Sequence, residues 1–166
     1  MASLAVVVSG AERGFGDVMN DNFGIHQHTE VRRALEDYGF PPANIFLPDA
    51  EYVCPTPESI VDFGANLKNL LWQLGMTYRE ESFDCDDFSK VALGLLILSH
   101  RKFFKFSYAL AAGVASGFTD TSGHAVIACV HDNDDGKLSV ALYEPQPTPL
   151  CLQPYPKFAQ PYWCYL

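Results

Sequence analysis

The stretch from residue 124 to residue 144 reads HAVIACVH (124–131), DNDDG (132–136) and KLSVALYE (137–144). Its two outer segments are rich in β-branched and aromatic residues, and the second alternates in polarity as strands do. The acidic, glycine-containing segment between them has the chemistry of a turn. This stretch therefore predicts a β-hairpin within an antiparallel sheet.

The predicted hairpin brings a histidine and a carboxylate together. Residues that face each other across an antiparallel pair have a constant sum of residue numbers, and a turn centred on residue 134 pairs His124 with Glu144. A carboxylate beside an imidazole fixes its tautomer and stabilises its protonated form. The hairpin thus predicts an oriented histidine, the alternative being a surface ion pair without a further role.

Three helices, one further strand and an irregular tail complete the prediction. Apolar residues at helical spacing predict helices over Glu30 to Tyr38 and over Pro57 to Leu74. The segment from Asp84 to His100 starts with acids and continues almost wholly apolar, so it predicts a central helix buried on most sides. Leu4 to Val8 predicts a buried strand, and the prolines between Pro145 and Pro161 predict an irregular tail.

Length and charge bound the function. The chain has 166 residues, of which 48% are hydrophobic, which predicts one domain over 1–166 with a motif core at 60–147 and a tail at 148–166. The 20 acidic residues outnumber the 11 basic ones, for a net charge of -9. This balance argues against nucleic acid and anionic membranes as partners, because both demand basic surfaces.

Cysteine use and the N-terminus bear on the compartment. The five cysteines are an odd number without CxxC spacing, which argues against a disulfide framework. The first residues lack the positive charge of a secretory signal, and the longest apolar run, 91–98, is too short to cross a bilayer. We therefore expect a protein without a membrane segment, cytoplasmic rather than secreted.

Cys85 is the candidate nucleophile. It lies at the predicted start of the third helix, where free N–H groups and the helix dipole favour a thiolate. Its alternative role is that of a small buried apolar residue. A thiol at a helix start, then His124 at a strand start, then Glu144 on the next strand is an order typical of papain-like and transglutaminase-like proteins.

Three short motifs carry a resemblance to a known family: DCDDF (84–88), GHAV (123–126) and YEPQ (143–146). They resemble the cysteine-peptidase domain of fungal chimeric agglutinins over residues 60–147. The resemblance implies an α+β, papain-like fold, in which a central helix carrying the cysteine packs on an antiparallel sheet. It implies a calcium-dependent peptidase acting on a peptide or protein substrate, with Cys85 as nucleophile, His124 as general base and Glu144 as orienting acid. Since no β-trefoil lectin domain is recognised, no sugar binding is implied.

A cation is expected next to Cys85. The resemblance places Asp86, Asp87 and Gln146 at calcium-binding positions. The residues give an independent reason, because the acids around Cys85 oppose thiolate formation unless a cation offsets them. Calcium binds carboxylate and amide oxygens, and the donors available are Asp86, Asp87, Glu144 and Gln146. The alternative is that the acids complement the helix dipole and face solvent.

Three other functions stay open. The same arrangement of residues suits a cell-wall peptidoglycan amidase or a transglutaminase-like acyltransferase. A function of another class is a non-catalytic, calcium-stabilised binding or virion component in which Cys85 is inert. For the enzymes, an oxyanion would be held by the backbone N–H of Cys85, with the side chains of Asn69 and Gln73 as alternative second donors.

Overall fold

A computed structural model of the chain describes residues 24–77, 84–104, 108–119, 122–133, 135–146 and 152–166. The predicted strand at Leu4 to Val8 lies outside these residues. Three helices, a short 3-10 turn and nine strands are described. The helices are α1 (His28–Tyr38), α2 (Pro57–Gln73) and α3 (Cys85–Phe104), with the 3-10 turn at Pro42–Asn44. The strands are β1 (Ile25–Gln27), β2 (Ile45–Phe46), β3 (Glu51–Val53), β4 (Ala109–Leu110), β5 (Ala112–Phe118), β6 (Gly123–Asp132), β7 (Leu138–Glu144), β8 (Gln153–Tyr155) and β9 (Gln160–Tyr165).

The strands form two mixed sheets. The larger has the order β2-β9-β5-β6-β7-β8, and the smaller has the order β1-β3-β4. In the larger sheet β2 and β9 run parallel, and in the smaller sheet β3 and β4 do. The predicted fold, with its purely antiparallel sheet, is therefore wrong in sheet type. The physical reason is that a hydrophobic pattern specifies which face a residue takes but not the direction of a distant partner strand.

The predicted hairpin is present, but its register is shifted. Ile127 lies opposite Tyr143 and Asp132 opposite Leu138, a constant sum of 270 instead of the predicted 268. The turn is closed by hydrogen bonds from Asn133 N to Lys137 O and from Gly136 N to Asn133 O, so its centre lies one residue further along than expected. Because the pairing is displaced by two residues, every side chain keeps its predicted face.

The first two helices confirm the sequence prediction. At the start of α1, the backbone N–H of Gln27 donates to Glu30 Oε2 at 2.8 Å, which forms one half of a capping box. At the start of α2, the Thr56 hydroxyl accepts the N–H of Ser59 at 3.2 Å, and a proline follows it at the first helical position. These local signals explain why helix boundaries were readable from the sequence.

Helix α3 is less buried than predicted. Phe88, Ala92 and Leu96 are buried against the large sheet, whereas Leu98 is 64% exposed. The prediction of a helix buried on most sides is wrong because α3 lies in an outer layer, with the sheet on one side only. An apolar groove of about 690 Å³ runs along the flank of α3 that faces β9, and it is lined by Phe46, Asp86, Lys90, Leu93, Gly94, Ile97, Val114, Trp163 and Tyr165.

The proline-rich tail is partly β-structure, which corrects the prediction of an irregular segment. β8 is an edge strand, where Pro154 is tolerated since an edge leaves donors unpaired. β9 lies inside the sheet between β2 and β5, and its ladder shifts register at Gly117, opposite Pro161. A proline can enter an internal strand at such an irregularity. Residues 147–151 of the tail lie outside the described residues.

The large sheet separates two apolar cores. Along β6, Ala125 and Ile127 face the core under α2 and α3, whereas Val126 and Ala128 face the core under α1. His124 shares the second face by alternation, and it lies next to the first residue of the strand. At the end of the large sheet where β6 begins, residues of α3 on one face can therefore come close to residues on the α1 face. No helix of the described residues is long and apolar enough to cross a membrane.

Candidate functional site

Cys85 is the first residue of α3 and is half-buried. The first turn is held by two hydrogen bonds, from Phe88 N to Asp84 O at 3.0 Å and from Ser89 Oγ to Cys85 O at 2.8 Å. Phe88 is fully buried in the core and anchors that turn. The thiol is thereby fixed at the N-terminal end of the helix, next to its free N–H groups.

His124 and Glu144 form a short, shielded pair. His124 Nε2 lies 2.7 Å from Glu144 Oε2, and the two side chains are only 17% and 13% exposed. The other carboxylate oxygen, Oε1, accepts the backbone N–H of Gln146 at 2.9 Å. Since the register is two residues from the predicted one, the contact is diagonal across the hairpin rather than directly opposite. Both oxygens of Glu144 are thus engaged.

Cys85 and Glu144 both act on the imidazole of His124. Hydrogen bonding to these two groups, with their negative charge, raises the pKa of His124 to about 9 against the opposing effect of burial. With Nε2 on Glu144, Nδ1 is the ring nitrogen left for the thiol. The structure therefore brings all three residues together, in an order suited to moving a proton between sulfur and imidazole.

The raised pKa has a consequence for stability. The folded value of about 9 for His124 lies above the ordinary value of 6.5. The charged pair therefore stabilises the folded chain fully below about pH 6.5, and this stabilisation is lost as the pH rises through 9. The fold and the site are thus linked through one proton.

Tyr155, at the end of β8, was not predicted as part of the site. Its ring centroid lies 5.1 Å from that of His124 at an interplanar angle of 37°. Burial, with the negative charge of Glu144 and Cys85, raises the pKa of its hydroxyl. The aromatic richness of the tail was a visible signal, but only the pairing of β8 with β7 places this ring on the histidine.

The predicted calcium ligands are only partly brought together. The carboxylates of Asp84, Asp86 and Asp87 offer oxygens within 4.8 Å of one another. Both carboxylate oxygens of Glu144, by contrast, are already hydrogen-bonded, one to His124 and the other to a backbone N–H. The backbone N–H of Gln146 is directed to Glu144, and no cluster of potential ligands within the described residues adds Glu144 to the three aspartates.

Lys90 is a second residue that the sequence analysis missed. Its ammonium group pairs with Asp86 and also lies 3.4 Å from Asp87 Oδ1. The spacing of three and four residues along a helix was the signal that could have found it. Lys90 supplies part of the positive charge that was expected from a cation. A hydrogen bond between Asp84 and Asp86 raises the pKa of the first carboxyl and lowers that of the second.

The predicted oxyanion donors differ in their placement. Asn69 and Gln73 both lie on α2 with exposed side chains. The backbone N–H of Cys85 belongs to the first turn of α3, next to the thiol. Of the three candidates, this N–H is the one that the fold holds at the site by its own covalent geometry.

Comparison with known proteins gives structural neighbours only. No protein-family profile matches the chain, and neither does any curated protein. Among the solved chains that match is PSL1a in complex with E64, 22% identical with a TM-score of 0.67, over 86% of this chain and 51% of that one. Another is Polyporus squamosus lectin bound to the human-type influenza-binding epitope Neu5Acα2-6Galβ1-4GlcNAc, 22% identical with a TM-score of 0.64, over 86% and 49%.

This comparison corrects the prediction of family and activity. A solved protein that shares the fold is Polyporus squamosus lectin. By this comparison the predicted papain-like family and fold are wrong, and so is the predicted thiol-protease or other hydrolase activity. The physical reason is that a cysteine, a histidine and an acid in that order form a local arrangement that does not by itself identify a fold. The chain spans about half the length of the solved chains that it matches. At this identity the likeness establishes one thing, a fold shared with Polyporus squamosus lectin over 86% of the chain.

Proposed function

We propose that this chain is a ligand-binding domain whose site is formed by Cys85, His124 and Glu144, and that the site takes ligands with an electrophilic carbon. The observation that carries the proposal is the 2.7 Å contact of His124 with Glu144, in a site where Cys85 also acts on the imidazole and raises its pKa. A structural neighbour supports it, since PSL1a was solved as a complex with E64. E64 is a thiol-directed epoxide.

The proposed binding step balances without any further reactant. The sulfur of Cys85, as a thiolate, attacks one epoxide carbon, and the bond from that carbon to the ring oxygen breaks. The oxygen leaves as an alkoxide and takes a proton from the imidazolium of His124. Glu144 holds the ring in place and stabilises its charge before the transfer. The product is a thioether with a neighbouring hydroxyl group.

Three other cysteines of the described residues provide an internal comparison. Cys54, Cys129 and Cys164 are buried and free. Burial raises the pKa of Cys54 to about 12 and also raises the pKa of Cys129 and Cys164, so these thiols stay protonated at neutral pH. A thiol must ionise to react. Selectivity for Cys85 is therefore the signature of the proposed site.

Labelling with E64 tests the proposal directly. We expect the epoxide to modify Cys85 at least about tenfold faster than any other cysteine at pH 7, because Cys85 is the one cysteine of the described residues with an imidazole partner. The measurement is a time course by peptide mass spectrometry on the folded chain. Cys85→Ala serves as the control that should leave the remaining cysteines unchanged. Equal labelling of all five cysteines, or none at Cys85, would contradict the proposal.

Calcium at the first turn of α3 is a separate part of the proposal. The cluster of Asp84, Asp86 and Asp87 has the oxygen chemistry that calcium prefers, although Lys90 competes for it. Bound calcium would neutralise the acids beside Cys85. The E64 time course is therefore run with calcium and with EDTA, and we expect the faster reaction with calcium. An equal rate with calcium and with EDTA would contradict the calcium site and leave the proposed thiol site intact.

Glycan binding is a second candidate, favoured by the solved complex of Polyporus squamosus lectin with a sialylated trisaccharide. Since this chain spans about half of that protein, the trisaccharide tests whether a glycan site lies in this chain. Chemical shift changes on titration of the chain with Neu5Acα2-6Galβ1-4GlcNAc would place a glycan site here. An unchanged spectrum at millimolar trisaccharide would remove this candidate.

A further inference from the structure

The ring of Tyr155 contacts the imidazole of His124, and the proposed function does not use this contact. Tyr155 closes β8, the edge strand of the large sheet, and lies opposite Leu142 of β7. Its ring centroid is 5.1 Å from the imidazole of His124 on one side and 5.8 Å from the ring of Phe158 on the other. Phe158 is 2% exposed and belongs to the core under α1. The three rings form a row of tilted contacts, with interplanar angles of 37° and 57°, that ends in the core.

Hydrogen bonds alone leave one rotation of the imidazole ring unrestrained. Glu144 holds Nε2, and a hydrogen bond to Cys85 through Nδ1 would likewise act on the ring edge. A ring held at its edge can still tilt about the line that joins the two partners. Packing against a ring face removes that tilt, and offset or tilted aromatic pairs at such distances are favourable contacts.

We propose that Tyr155 is a positioning residue, whose ring packs on the imidazole of His124 and fixes the plane in which His124 meets Cys85 and Glu144. The inference rests on the proposed function, because it concerns the reactivity of the same site. The contact is made ring to ring, so the aromatic ring is required and the hydroxyl group is not. Phe158, anchored in the core, supports Tyr155 from behind.

Three substitutions in the full chain test this inference. Tyr155→Phe keeps the ring, Tyr155→Leu removes it, and Tyr155→Met replaces it with a flexible side chain should the leucine variant fold poorly. The control is Tyr162→Leu, which removes an exposed tyrosine of β9 whose nearest described ring is Phe118, at 6.5 Å. The readouts are the rate of E64 addition to Cys85 and the NMR shifts of the His124 ring protons, which sense the neighbouring ring directly.

We expect Tyr155→Phe and Tyr162→Leu to react within about twofold of the parent chain. Tyr155→Leu and Tyr155→Met should react about tenfold more slowly, since a small misplacement of a reacting group costs at least that much. The His124 ring protons should move in these two variants and stay in place in Tyr155→Phe. Melting temperature and circular dichroism establish that each variant is folded.

Two results would overturn the inference. One is a folded Tyr155→Leu or Tyr155→Met chain that reacts at the parent rate. The other is a folded Tyr155→Phe chain as slow as the leucine variant, which would assign the effect to the hydroxyl group. Failure of the proposed function looks different, because the parent chain itself would then show no preference for Cys85.

Discussion

Replacing His124 with alanine is expected to lower the rate of E64 addition to Cys85 about 100-fold at pH 7, as is typical when a group that moves a proton is removed. The variant loses both the partner that ionises the thiol and the donor that protonates the opened epoxide. The measurement is the same time course by mass spectrometry. Glu144→Gln should give a smaller loss, because the imidazole keeps its place and loses only the charge that stabilises it.

His26→Ala is the matched control for this experiment. His26 also contacts a carboxylate, with Nε2 3.1 Å from Asp132 Oδ2. His26 lies on β1 and its partner Asp132 ends β6, whereas His124 lies at the beginning of β6, so the two contacts are at opposite ends of that strand. We expect His26→Ala to leave the reactivity of Cys85 unchanged. A His124→Ala chain that reacts at the parent rate would show that the imidazole does not activate the thiol.

Gly113→Ala is expected to destabilise the fold by more than about 3 kcal/mol, above the ordinary range for overpacking. Gly113 lies on β5, between β9 and β6. A Cβ atom there would overlap the carbonyl oxygen of Tyr165 and lie 2.6 Å from the Cα of Leu166. Both obstacles are backbone, which cannot move aside as a flexible side chain can. Urea unfolding followed by circular dichroism measures the change.

Gly94→Ala provides the opposite result from the same substitution. Gly94 lies inside α3, and an added Cβ would meet nothing within 4 Å. Alanine favours a helix interior over glycine by about 1 kcal/mol. We therefore expect Gly94→Ala to raise the free energy of unfolding. If Gly113→Ala unfolds at the same urea concentration as the parent chain, the close approach of β5 to the C-terminal strand is wrong.

The local elements could be predicted because their signals are local. α1 and α2 follow from periodic apolar residues and from caps such as Thr56, all within one or two turns of the helix. The hairpin follows from alternation around an acidic turn. Its register did not, because the sequence does not state how many residues the turn contains. The two-residue error left His124 and Glu144 on one face, so their contact survived it.

The sequence failed where distant segments meet. The prolines after residue 144 favoured an irregular tail, yet β9 enters the sheet beside β5, with Pro161 opposite a register shift. The apolar residues of α3 predicted a helix buried on most sides, although Leu98 is 64% exposed. In both cases the outcome depends on which surfaces other segments cover, and that information is spread over the whole chain.

The family was misjudged for a related reason. A thiol, a histidine and an acid in that order describe a small local arrangement, whereas 86% of the chain shares its fold with a lectin. The net charge of -9 and the cysteine pattern led to expectations about partners and compartment, but neither of them predicts a fold.

By itself, the sequence determined the helices α1 and α2, the hairpin of β6 and β7, and the placement of His124 and Glu144 on one face of that hairpin. Each of these depends on interactions between residues close in sequence or on a strand alternation that a small register error does not change. The tertiary structure alone decided the mixed sheet, the place of β9, the lysine among the aspartates and the ring of Tyr155 on His124. Those features arise from contacts between side chains and strands that folding brings together, and the packing of the whole chain selects them.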